Sequence, residues 1–242
     1  MTESIEARER QIAEPTARRP LTRERILQTG LQLIDEQGLE AFTMRKLAQE
    51  LGVDPMSIYR HFENKEALLD GVADVLWSEV KLLESETGWE ALLRSFATSL
   101  RALAHAHPHA YALLCKNQSL SLALLRLCDI ALEQLQQAGF EQKRALEILC
   151  TVSSYAMGYA MVELSALSPV TTEHGTPELT DIGRLTQLMR RLPRETPSRL
   201  VEVACVLTDC DMDTQFIFGL DLMLTSLKAQ RTIRPCVKEE AS

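Results

Sequence analysis

Residues 43–65 read TMRKLAQELGVDPMSIYRHFENK, and this stretch decides the fold. Thr43 is suited to cap a helix in which Leu47, Ala48 and Leu51 share one face, and Gly52 supplies the positive φ that stops it. Asp54 then caps a short helix with Pro55 in its first turn, where the missing N–H costs nothing. Two helices cross closely only over a small residue, here Ala48. The second of them needs apolar anchors beneath it, here Val53, Ile58 and Phe62. This is the spacing of a helix-turn-helix, and it leaves the outer face of residues 55–61 free to enter a DNA major groove.

Outward from this motif, helix follows helix. Thr22 caps a preceding one with apolar residues at Ile26, Leu27, Leu31, Leu33 and Ile34, ended by Gly38 in an expected left-handed conformation. Asn64 caps a following one through Leu68, Leu69, Val72, Val75 and Leu76. A break at residues 84–88 (ESETG) precedes a clear 3.6-residue period at Trp89, Leu92, Leu93, Phe96, Leu100 and Leu103. Further helices are predicted over 109–116, Ser119 to Ala138, Glu141 to Leu167, 181–191 and Thr214 to Ala229. A loop is expected at 168–180, and 193–210 has no clear pattern. No strand pattern or internal repeat appears. The expectation is an all-α protein: a flexible arm at 1–20, a three-helix helix-turn-helix domain at 21–67, a larger helical domain at 68–230 and a flexible tail at 231–242.

Composition bounds the function. Among 242 residues, 25% are charged and the net charge is −8, which excludes a protein that coats nucleic acid by bulk attraction. Residues 1–70 carry ten Lys and Arg against thirteen Asp and Glu, and only the window 43–65 tips positive, four against three. Non-specific DNA affinity should therefore be weak. The longest apolar run, Ile148 to Val162, is closed by Glu147 and Glu163 and is too short to span a bilayer. The first twenty residues hold no apolar run of the kind a secretory signal needs, so a cytoplasmic location without membrane attachment is expected. The cysteines at 115, 128, 150, 205, 210 and 236 are then expected to be reduced.

The run T-x-R-K-L-A-x-x-L-G-V at 43–53, followed by Y-x-H-F-x-N-K at 59–65, resembles the DNA-binding domain of the TetR family of transcriptional regulators. N-K-x-A-L-L-D at 64–70 and F-x-F-G-L-D-L-x-L at 216–224 look most like its tetracycline repressor branch. The resemblance implies a homodimeric repressor that binds a palindromic operator and is released by a small-molecule effector. It does not imply an enzyme, and no nucleophile–base pair, phosphate loop or carboxylate pair appears. The alternative is a DNA-binding protein of the same fold controlled by a protein partner or by its abundance.

The site residues follow in part from chemistry and in part from this resemblance. Thr43, at a helix N-terminus, favours a phosphate. Pro55 and Met56 offer apolar contact to thymine methyls, and Ser57 a hydrogen bond. The resemblance places Arg45 at a base edge and Tyr59, His61 and Lys65 on the phosphate backbone, with Arg60 adding a contact. For dimerisation, Phe216, Leu220, Met223, Leu224 and Leu227 line one helix face, while Ala156, Gly158 and Ala160 allow close approach on another. The resemblance implies that these two helices form a four-helix bundle with a second copy. An effector pocket is expected among Phe96, His105, His109, Tyr111, Leu114, Cys115, Met157 and Tyr159. No metal or cofactor is expected. His107 points away from His105 and His109, no second ligand motif lies near, and Asp209, Asp211 and Asp213 lack the glycine and glutamate of a calcium loop.

Overall fold

The computed structural model describes residues 20–82, 88–116, 121–167 and 211–233. The expectations for the arm up to residue 19, for 168–210 (including the helix at 181–191, Cys205, Asp209 and Cys210) and for residues 234–242 with Cys236 lie outside the described residues, while 231–233, expected in the tail, are helical. Every regular element among the described residues is helical. The chain divides into two compact units between Leu68 and Leu69.

In the first unit α1 (Arg23–Gln37) buries Ile26, Leu31, Leu33 and Ile34, and Thr22 caps it by accepting from the Arg25 N–H. Gly38 ends it with a positive φ of 84° but a ψ of 155°, so the chain leaves in an extended conformation, not the left-handed one expected. α2 (Met44–Leu51) packs on α1 and on α3 (Pro55–Tyr59). α4 (Lys65–Glu79) starts in this unit and continues as one helix into the next, with Asn64 Oδ1 accepting from the Ala67 N–H at 2.7 Å.

In the second unit α5 (Gly88–Ala106) buries all six apolar residues of the predicted stripe. A turn at 108–111 delays α6 to Ala112–Lys116, three residues later than predicted. α7 (Leu122–Gln137), capped by Ser121, and α8 (Gln142–Leu167) form a hairpin around Gly139, whose φ is 90°. α5 lies against α8 and α7, and α9 (Met212–Ile233) packs on α8. α9 starts before the predicted Thr214 because Asp211 caps it, accepting from the Thr214 N–H at 3.0 Å and hydroxyl at 2.8 Å, and it runs past the predicted end at Ala229 to Ile233. Those bonds hold the exposed Asp211 carboxyl below its ordinary value. Residues Gln142–Ser165 of α8 have a mean hydropathy of 1.3, enough by length and composition to cross a membrane. One third of the apolar window is buried in the fold, and Glu163 in the same helix pairs with Arg101.

Candidate nucleic-acid interface

The helix-turn-helix is assembled from local bonds. Thr43 Oγ1 accepts from the Lys46 N–H at 3.2 Å, which leaves the hydroxyl's own proton to donate to a phosphate. Gly52 adopts φ 67°, ψ 35°, and its N–H and that of Val53 return to the last carbonyls of α2. Asp54 Oδ1 accepts from the Met56 N–H at 2.8 Å, with Pro55 in the first turn. Ala48 is buried at the crossing, while Ile58 and Phe62 anchor the underside of α3.

With that side buried, the opposite side of α3 faces solvent. Met56 is 66% exposed and Tyr59 42%, high for large apolar side chains. Arg45, Arg60 and Thr43 are exposed, and Pro55, Ser57 and His61 are half-exposed at the edge of the same surface. Lys65 has a partner inside the motif. Its ammonium turns back to the Phe42 carbonyl at 2.9 Å and lies 5.6 Å from the Phe42 ring centroid.

Sequence reasoning missed a set of internal struts. Arg23 Nη1 donates to the His61 carbonyl at 2.8 Å while its guanidinium stacks 4.1 Å from the Phe62 ring centre. Arg25 Nη2 reaches the Leu51 carbonyl at 3.5 Å, and Lys46 Nζ the Gln37 side chain at 3.0 Å. Each arginine thus serves the carbonyl end of another helix, where a cation is favoured. One signal was available: Arg23 and Arg25 stand in the first turn of α1, where positive charge is unfavourable unless it has work elsewhere.

The effector candidates separate into groups. Phe96, Tyr111 and Leu114 are buried, Met157 is half-buried, and His109 and Cys115 are exposed. Tyr111 is fully buried, yet its hydroxyl has no hydrogen-bond partner. Burial pushes its phenol up, with the Cys115 thiol a smaller contribution. His105 and Tyr159 belong to another arrangement. Glu163, only 4% exposed, accepts from Arg101 Nε at 2.6 Å and Nη2 at 2.5 Å, and His105 Nε2 lies 3.4 Å from it. Arg101 also bonds Asp213 and lies 5.0 Å from the Phe216 ring centre; the paired carboxylates push its pKa further up. Tyr155 and Tyr159 donate to the Phe216 and Met212 carbonyls at 2.9 and 2.8 Å. Together these groups clamp the first turns of α9 onto α5 and α8. Among the described residues no group of three His, Cys, Asp or Glu could hold a metal ion.

The dimer candidates divide by burial. Phe216, Leu220, Leu224, Ala156 and Ala160 are buried within a single chain. Met223 and Leu227 are half-buried, and of the named residues only Gly158 is exposed. The apolar surface left outward is Ile217, Phe218 and Leu222 on α9 with Leu146 and Val162 on α8.

Comparison with known proteins agrees with this architecture. Residues 26–72 match the family model of the bacterial regulatory proteins of the tetR family, and residues 83–231 that of the tetracyclin repressor-like C-terminal domain. The class C tetracycline repressor protein of Escherichia coli is 28% identical over 214 residues, covering 87% of this chain and 92% of its own. The class A repressor from transposon 1721, also from Escherichia coli, is 29% identical over 163 residues, covering 66% and 75%. Among solved structures, the TetR family protein ActR of Streptomyces coelicolor, in complex with actinorhodin, has a TM-score of 0.73 at 28% identity. That match covers 88% of this chain and 99% of ActR.

Proposed function

Since this chain belongs to the TetR family of bacterial regulatory proteins, and so is a DNA-binding transcriptional regulator and not an enzyme, we propose that it acts as a cytoplasmic, homodimeric repressor. It holds a palindromic operator through α3 and leaves it when a small molecule occupies the second unit. The observation that carries the reading is the exposure of Met56 and Tyr59, beside exposed Arg45 and Arg60, on a short helix anchored from below by buried Ile58. Apolar and cationic groups side by side on one exposed surface suit a groove that offers thymine methyls between phosphates.

On the operator, Met56 and Pro55 meet thymine methyls, Ser57 and Arg45 donate to base edges, and Arg60, Tyr59, His61 and Thr43 bond phosphates. Lys65 contributes by fixing the loop before Thr43. One recognition helix buries too little surface for specificity, and two-fold pairing supplies the second at a spacing of about 34 Å. The outward apolar residues of α8 and α9 support that pairing.

The orphaned Tyr111 hydroxyl supports an effector. A buried donor without a partner costs about 1–3 kcal/mol, and a ligand oxygen placed beside it recovers that energy. α4 is suited to carry the response. Asp74 on it accepts from the Ala123 N–H of α7 at 3.2 Å, and Glu79 lies 3.0 Å from His107 beyond α5, while its first residue is Lys65. A ligand that favours a different placement of α7 and the 107–111 turn shifts α4, and the spacing of the two recognition helices changes with it.

The test starts from random-sequence duplexes selected on the purified protein. The expected product is a palindrome whose affinity falls strongly for Tyr59→Ala. Tetracycline and actinorhodin are the first effector probes, read by release of labelled operator and by a rise in melting temperature. Selected sites without two-fold symmetry, or an unchanged affinity for Tyr59→Ala, would reject the docking.

A further inference from the structure

A cleft of about 360 Å³ opens between the first half of α8 and the second half of α9, floored by Ile148, Val152, Met223 and Leu227. The charges at its rim are neutralised locally, because Arg144 bonds Glu147 at 3.1 Å and Gln230 at 2.9 Å. The floor is therefore apolar and suited to an uncharged side chain.

The outward face of α9 divides into unequal halves. Before its midpoint stand Ile217 and Phe218, 50% and 63% exposed; after it stand Thr225, Ser226 and Ala229, all small and exposed. Leu222, 57% exposed, marks the change, one turn after Phe218 and one turn before Ser226. A two-fold axis across a helix sets it antiparallel to its copy, so that residue i meets j while j meets i. Such an axis at Leu222 lays the bulky half of each α9 on the small half of the other. Ser226 borders the cleft.

We propose that two copies of this chain pair about an axis at Leu222, with the Phe218 ring of each seated in the α8–α9 cleft of the other beside Ser226. This rests on the homodimer reading above and adds to it a register and an anchor. An apolar face alone permits sliding, whereas an aromatic ring in a matching cleft fixes one alignment and carries much of the binding energy.

Engineered cysteines in the full chain test this, with the wild-type chain as control for the native thiols. In a glutathione redox buffer, Leu222→Cys should give a covalent dimer linked 222 to 222. Phe218→Cys and Ser226→Cys should give none singly and a 218-to-226 link when combined, identified by mass spectrometry of the joined peptides. Phe218→Ala should weaken the dimer by at least about tenfold in sedimentation. Ser226→Trp, which fills the cleft, should weaken it too while the helical circular dichroism is kept. A 218-to-218 link, or a Phe218→Ala dimer of wild-type strength, overturns the register and leaves the dimer intact. A wild-type chain that sediments as a monomer at micromolar concentration overturns both.

Discussion

The Lys65 ammonium donates to the Phe42 carbonyl 2.9 Å away, joining the first residue of α4 to the loop that leads into α2. A cation expected to grip DNA thus also ties the motif together. Lys65→Met should lower the unfolding free energy by about 1–2 kcal/mol in urea titrations, and weaken operator binding through the misplaced N-terminus of α2. Unchanged stability with weakened DNA binding would instead make Lys65 a phosphate contact.

Arg60 should behave in the opposite way. It is exposed at the rim of α3 and the reading assigns it to phosphate. Arg60→Ala should leave the melting temperature within a degree or so and reduce the slope of log affinity against log salt by about 1 per half-site. Anisotropy titrations between low and moderate salt measure it.

Gly219 faces the Tyr155 ring so closely that a Cβ there would overlap the phenol oxygen. Gly219→Ala should therefore displace Tyr155, break its bond to the Phe216 carbonyl and destabilise the second unit by about 1–3 kcal/mol. Combined with Tyr155→Phe, which removes the overlapping oxygen, the cost should be clearly less than additive. Gly52 presents a different case: nothing lies within 4 Å of a Cβ there, and only its φ of 67° opposes a side chain.

Glu163 is a buried carboxylate shared by Arg101 and His105. Glu163→Gln should destabilise the protein by about 3 kcal/mol, since it leaves the Arg101 guanidinium under-compensated. Replacing both residues, Arg101→Met with Glu163→Met, should recover much of the loss in the same denaturation assay.

The cap of α9 makes stability acid-sensitive. The Asp211 carboxyl is held below its ordinary 3.8 in the folded chain by the Thr214 hydroxyl and N–H. Its contribution is complete above that value and disappears as pH falls through the lower folded one. Asp211→Ala should lower the melting temperature at pH 7 and flatten the acid limb of a melting-temperature profile below pH 4.

The parts legible in the sequence were those fixed within a few residues. The caps at Thr22, Thr43, Asp54 and Asn64, the turn at Gly52 and the anchors Ile58 and Phe62 all follow from local spacing. Side chains that reach across the chain were not legible: Arg23 meets His61 thirty-eight positions on, and no local pattern marks that pairing. The helix α9 was legible, but the cover of its faces was not. It is apolar almost all round, so the stripe of Phe216, Leu220 and Leu224 was visible as buried, but nothing in it told whether its cover was the same chain or another. The chain's own α8 covers it, and the outward stripe of Phe218 and Leu222 lies about half a turn away.

If the exposed Met56 meets thymine methyls as proposed, the contact has a consequence for the host genome. An apolar probe in the major groove responds to a methyl group and not to the ring that bears it, and 5-methylcytosine places its methyl where thymine does. Chemical marking of cytosines could therefore redraw the set of promoters this protein occupies, with no change in base sequence. Operators synthesised with 5-methylcytosine at one position, or with uracil for thymine, would show it directly.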